Sequence, residues 1–96
     1  MEAFQGNDQA MTRTSLYGTY SEATYAGVTS CMRRRYSRDL TGVDVVVSGV
    51  PFDTAATNRP GTRFGPRAIR AASVTSAWER HWPWKFDPFD HLAVID

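Results

Sequence analysis

The sequence predicts an incomplete α/β domain: the first βαβ unit of a parallel-sheet, three-layer (αβα) fold, preceded by an irregular N-terminal arm. Three observations carry that expectation. The run "VDVVVSGV" at 43–50 is a short β-branched run with apolar residues on both alternations apart from Asp44 and Ser48. Apolar residues on both faces are what a central parallel strand requires. The run "GPRAIRAASVTSAWER", from Gly65, turns helical, and "LAVID" at 92–96 reads as a second buried strand. Strand, crossover helix and strand make a right-handed unit with parallel strands. The expected division is an arm over 1–42 and the unit over 43–96.

The arm is polar, with "SLYGTYSEATYAG" at its centre and neither a helical nor a strand period. It reads as irregular, a tail whose Tyr17, Tyr20 and Tyr25 offer aromatic contact. Arg33, Arg34, Arg35 and Arg38 follow as a cluster, with Asp39 and Asp44 close behind. Arginine is enriched at protein interfaces, so a solvated or subunit-interface patch is expected rather than a nucleic-acid surface.

Gly49 and Pro51 end the first strand, and a long polar connection runs from Asp53 to Phe64. Pro66 suits the first helical turn, where its missing N–H is no loss and its φ is already near the helical value. The expected inward helix face is Ile69, Ala72, Ser73, Ser76 and Ala77. Pro83 breaks the helix, and Trp82, Trp84, Phe86 and Phe89 crowd the segment before the second strand. Two parallel strands cannot stand alone, because they need neighbouring strands and a helical layer on the other side. In open α/β sheets the ligand-facing loops follow the carboxyl ends of the strands. A chain ending on its second strand is expected to be the N-terminal piece of a larger α/β protein, folding marginally by itself.

Composition narrows the classes. Ten Arg and one Lys nearly balance ten acidic residues in 96, for a net charge of +1. That gives no general attraction to nucleic acid or an anionic membrane. No run approaches the ~18–20 apolar residues that span a bilayer. The N-terminus lacks the basic and apolar regions of a secretory signal, so a cytoplasmic location is expected. The single Cys31 permits no internal disulfide and no cysteine-based zinc site.

The chemistry-bearing residues form no convincing site. His81 and His91 are ten apart across a proline-broken segment, not at the helical spacing that aims two imidazoles together. Asp87, Asp90 and Asp96 lie nearby, and surface residues beside aromatics are the favoured reading. Cys31 has arginines near it but no identifiable base, so a packing role is expected. "GTRFGP" lacks the spacing of either glycine-rich phosphate loop.

The corner between strand and helix carries a specific resemblance. Gly49-Val50-Pro51-Phe52-Asp53, followed by Gly61-x-Arg63-x-Gly65-Pro66-x-x-Ile69-Arg70, resembles the first strand, loop and helix of agmatinase-like ureohydrolases in the arginase superfamily. The likeness extends over about residues 25–96. Cys31 and Arg35 depart from the family pattern, which usually has an aromatic residue and a proline in the arm.

The resemblance implies a manganese-dependent amidinohydrolase, using two metal ions to hydrolyse agmatine or a guanidinobutyrate-like compound to urea and an amine. It also implies a homo-oligomer when full length. The family's ligand segments, Gly-Gly-Asp-His, Asp-x-His-x-Asp and Asp-x-Asp-x-x-Asp, are absent here. No catalytic or metal-binding role therefore passes to any residue of this chain, and the chain alone is expected to be inactive. Thr57 and Asn58, then Arg59 and Arg63, are the substrate-loop candidates. Gly49, Pro51, Asp53, Gly61, Gly65 and Pro66 are expected to shape the corner, and Arg63 is expected to tie the loop to neighbouring backbone. The alternative is a truncated, non-catalytic piece that folds only by docking on a partner subunit.

Overall fold

The structure, a computed structural model, describes residues 8–19, 22–77 and 84–96. Tyr20, His81, Trp82, Pro83 and the predicted helix end at 78–80 lie outside the described residues. Two short strands, β1 (Val45–Val46) and β2 (Val94–Ile95), pair in parallel with Val45 opposite Val94 and Val46 opposite Ile95. Asp44, the polar exception in the first strand run, has a structural task at its start. Its N–H and that of Val45 donate to the Ala93 carbonyl at 2.8 and 3.1 Å. In return its carboxylate accepts from the Ala93 N–H at 2.9 Å. The strand–helix–strand order is as predicted.

Burial is distributed differently from the expectation. β2 is buried on both faces, whereas Val45 and Val46 of β1 are 42% and 49% exposed. The reason is position. β2 lies between β1 and the arm, where Arg35 bridges in parallel to Ile95, while β1 has β2 alone as a described neighbour. The arm hydrogen-bonds along β2 through Asp96 N–H to Arg35 C=O at 2.9 Å and Ser37 N–H to Asp96 C=O at 3.1 Å.

The arm contains a short helix, α1 (Gln9–Thr12), and a 3-10 turn over Cys31–Arg33. It is otherwise irregular but not a loose tail, since Gln9, Ala10 and Ser30 are almost wholly buried. Gly18 N–H donates to Phe89 C=O at 2.8 Å, and Thr19 Oγ1 donates to Asp87 Oδ2 at 2.5 Å. Tyr25 is exposed, and Tyr17 moderately so.

The arginine cluster is corrected by the structure. Arg33 and Arg34 are buried, 2% and 1% exposed. Arg33 donates to the carbonyls of Val28 and Ala23 at 2.9 and 3.0 Å and pairs with Glu22 at 3.6 Å. Arg34 donates to Gly18 C=O at 2.6 Å, and its guanidinium lies 4.2 Å from the Phe89 ring centroid. The physical cause is that an arm with little regular structure leaves carbonyls without partners. A guanidinium with five N–H donors satisfies several of them at once.

Helix α2 (Gly65–Ser73) carries Pro66 in its first turn, as expected. Its inward face is shifted from the predicted one. Ala77 is buried and Ser73 and Ser76 are half-buried, but Ile69 and Ala72 are exposed. The helix rests on the Cys31–Arg33 turn, so the inward row runs through Arg70, Ser73, Val74 and Ala77 at helical spacing. Ile69 sits one position round, over a side that nothing described covers.

Candidate functional site

The corner begins where β1 gives way to the loop. Val47 N–H still donates to Ile95 C=O at 2.9 Å, and then Gly49 meets the start of α2. A Cβ on Gly49 would stand 2.6 Å from Pro66 Cβ, closer than real Cβ atoms come. Glycine there is thus a requirement of the strand–helix contact rather than of backbone torsion.

Asp53 organises the loop that follows. Its Oδ2 accepts from Gly61 N–H at 2.7 Å and from Arg63 Nη1 at 2.9 Å. Thr62 Oγ1 closes the base of the loop on Phe52 C=O at 3.2 Å. Gly61 has φ 150°, a backbone region that glycine reaches readily and side-chain-bearing residues rarely adopt. Gly65, by contrast, has ordinary helical angles and open space where a Cβ would stand.

The four loop candidates divide in two. Arg63 ties the loop through the Asp53 carboxylate rather than through backbone as expected, with its guanidinium 4.6 Å from the Phe64 ring centroid. It is half exposed, so the ion pair itself stabilises by no more than about 1 kcal/mol. Thr57, Asn58 and Arg59 are exposed on the outer part of the loop.

Beneath the corner lies a polar cluster that the sequence reading did not assemble. Arg70 Nε and Nη2 grip both oxygens of Asp96 at 2.8 and 2.6 Å, and Cys31 N–H donates to Asp96 Oδ2 at 2.6 Å. Ser73 Oγ accepts from Met32 N–H at 2.9 Å while donating to Arg70 C=O at 2.8 Å. These bonds hold Met32 and Arg33 in the left-handed region, at φ 53° and 56°. Such residues cost on the order of 1 kcal/mol or more each and persist only where neighbours over-determine them. Asp96 closing the second strand and Arg70 in the helix motif were the available signals, but nothing in linear spacing pairs them.

Burial pushes the Asp96 carboxyl up. The Arg70 hydrogen bonds, the Cys31 N–H and the guanidinium charge outweigh it, and the carboxyl lies below its ordinary value of 3.8. A depressed folded pKa means the clamp's stabilisation is complete above the unfolded value and is lost as pH falls through the folded one. The thermal midpoint should therefore fall on acidification below about pH 4, and the Asp96→Asn variant should lose most of that dependence. The Cys31 thiol is shifted upward, first by burial and then by the Asp96 charge, so it stays protonated at neutral pH.

The same carboxylate bears on metal binding. Among the described residues no three His, Cys, Asp or Glu side chains converge. Both Asp96 oxygens are taken, Asp87 caps the 3-10 turn Pro88–Asp90 through Phe89 N–H, and His91 stands edge-on to Phe86. These residues do not fit a metal centre, and no metal-dependent step is assigned to them.

A parallel strand pair bridged by a helix, with an ordered loop leaving the carboxyl end of its first strand, defines part of a parallel-sheet α/β protein. The comparisons specify which. Residues 43–96 match the Arginase family, and the chain belongs to that family. An agmatinase of Chromobacterium violaceum is 61% identical over 89 residues, covering 93% of this chain and 28% of that protein. An agmatinase of Proteus mirabilis is 53% identical over 62 residues, covering 64% and 19% respectively. The crystal structure of a hypothetical agmatinase from Burkholderia thailandensis superposes with a TM-score of 0.90 at 63% identity. It covers 95% of this chain and 29% of that one. The chain thus spans less than a third of the length of these relatives.

Proposed function

We propose that the chain serves as the opening strand–helix–strand unit of a ureohydrolase, which cleaves a guanidino compound of the agmatine or guanidinobutyrate kind into urea and an amine. The observation that carries this reading is 61% identity over 93% of the chain to an agmatinase. Within such an enzyme two manganese ions supply a water nucleophile at neutral pH. Their ligands would come from sequence outside this chain, so the chain alone releases no urea. The whole enzyme would be a cytoplasmic homo-oligomer. Among the described residues no helix is long and apolar enough to cross a membrane.

This chain's own contribution is the shape of the mouth. Asp53 and Arg63 hold the loop, and Thr57, Asn58 and Arg59 face the substrate. Arg59 is the weakest of the three for a cationic guanidino group, because like charges repel. Thr57 and Asn58 offer neutral oxygens that accept from guanidinium N–H groups.

The test joins this chain to the remainder of the Chromobacterium violaceum agmatinase, in place of the segment it matches. Urea release is then measured on agmatine, guanidinobutyrate and arginine. Thr57→Val and Asn58→Ala should each raise KM about three- to tenfold, the effect of losing one hydrogen bond of about 0.5–1.5 kcal/mol. An unchanged KM in both variants would remove the loop from substrate binding.

A further inference from the structure

A groove of about 410 Å³ beside the corner is lined by Arg63, Arg67 and Arg70 around Gly49 and Pro66. The 3-10 turn Thr62–Phe64 runs straight into α2, so the three arginines stand at i, i+4 and i+7 and share one helical face.

Two of the three have acids of their own, and those acids lie behind them. Arg63 gives Nη1 to Asp53, and Arg70 gives Nε and Nη2 to Asp96. The side chains of Asp53 and Asp96 are only 11% and 1% exposed, and neither lines the groove. Arg70 Nη1 is left over. It lies 3.6 Å from where a Cβ on Gly49 would stand, beside the wall that Gly49 gives the groove. Arg67 is exposed and has no acidic partner among the described residues. Three guanidinium groups thus reach one concavity into which no described carboxylate faces.

Such a surface suits an oxyanion, because planar guanidinium forks match its oxygens in pairs. A carboxylate offers two oxygens, enough for one fork. A phosphoryl group offers three and carries a charge of about −1.5 to −2 at neutral pH, so it can answer several forks at once. Phe64, 50% exposed, adds an apolar shoulder to the same groove.

We propose that this groove binds a phosphoryl group, either free or carried by a small organic molecule. Arg67 supplies the uncompensated charge, and Arg63 and Arg70 add donors. The bound anion ties the loop to the first turns of α2. The proposal stands on the side chains of the groove and does not depend on the ureohydrolase reading.

The experiment titrates the 96-residue chain with inorganic phosphate and, separately, with phenyl phosphate, followed by phosphorus NMR. Chloride holds the ionic strength constant, since salt screens exposed charges. Saturable binding of one or both probes is expected, and the tighter of the two names the source. Arg67→Gln should weaken it about fivefold or more. Arg67→Lys should restore only part of the loss, because an ammonium keeps the charge but not the fork. Arg38→Gln removes the same charge from an exposed position outside the groove and should leave binding unchanged. Arg67 is exposed, and an unchanged thermal midpoint in chloride verifies that its replacement leaves the packing intact. Failure of both probes to saturate would overturn the proposal. So would binding indifferent to Arg67→Gln, or equal weakening by Arg67→Gln and Arg38→Gln, the mark of net charge alone.

Discussion

Replacing Arg70 by methionine is expected to detach the arm from the sheet and destabilise the chain by about 3 kcal/mol or more. Asp96 is almost fully buried, its side chain 1% exposed, and Arg70 grips both of its oxygens. Methionine keeps much of the stem but leaves a carboxylate in the interior with only the Cys31 N–H to answer it. Removing one partner of such a pair costs more than the pair contributes, because the remaining charge loses its hydration without compensation. Small domains are stable by only about 5–15 kcal/mol, so a loss of this size is a large share of the total. The readout is hydrogen exchange at Cys31, Met32 and Ser37, the amides bonded to Asp96 and Ser73. All three should exchange faster together. Adding Asp96→Asn to Arg70→Met should then recover part of the loss, since it removes the uncompensated charge and contacting residues are not additive. Unchanged exchange at these amides would show that something other than the clamp holds the arm.

The second large effect is expected at Gly49. In Gly49→Ala the new Cβ would lie 2.6 Å from Pro66 Cβ and 3.0 Å from its Cγ. A proline ring cannot swing aside as a long side chain does, because it is closed on its own backbone nitrogen. Either β1 or the start of α2 must move. Overpacking of this kind costs about 1–3 kcal/mol, and each kcal/mol lowers the midpoint of a domain this small by about 4–8 °C. Gly65→Ala is the matched control, with helical torsions and open space at the Cβ position. It should be neutral or slightly stabilising, as alanine is favoured over glycine in helices by up to about 1 kcal/mol. Equal effects at the two glycines would contradict the close approach of strand and helix.

The strand–helix–strand order was legible because each element carries a local signal: branched apolar runs for the strands, Pro66 and helical patterning for α2. Where the reading departed from the structure, the cause was tertiary. The Val-rich run was expected to be buried on both faces, a property it would have inside a complete sheet. Here β2 takes the inner place because the arm lies beside it. Ile69 was assigned inward by size and spacing, yet α2 turns Arg70 and Ser73 toward the Cys31–Arg33 turn. Arg33 and Arg34 looked like a surface patch because sequence shows their charge but not the carbonyls that surround them. The Asp53, Gly61 and Arg63 ties of the loop all fall within the corner motif. The Arg70–Asp96 clamp was not legible, since it joins residues 26 apart that only the crossover brings together.

The most direct measurement of the central claim is manganese-dependent urea release from agmatine, made side by side on two proteins. One is the 96-residue chain alone, and the other is the same chain joined to the remainder of the Chromobacterium violaceum agmatinase. The account predicts urea from the joined protein and none from the chain alone. A joined protein that folds and binds manganese but releases no urea from any guanidino substrate would contradict it. So would reproducible urea release by the chain alone.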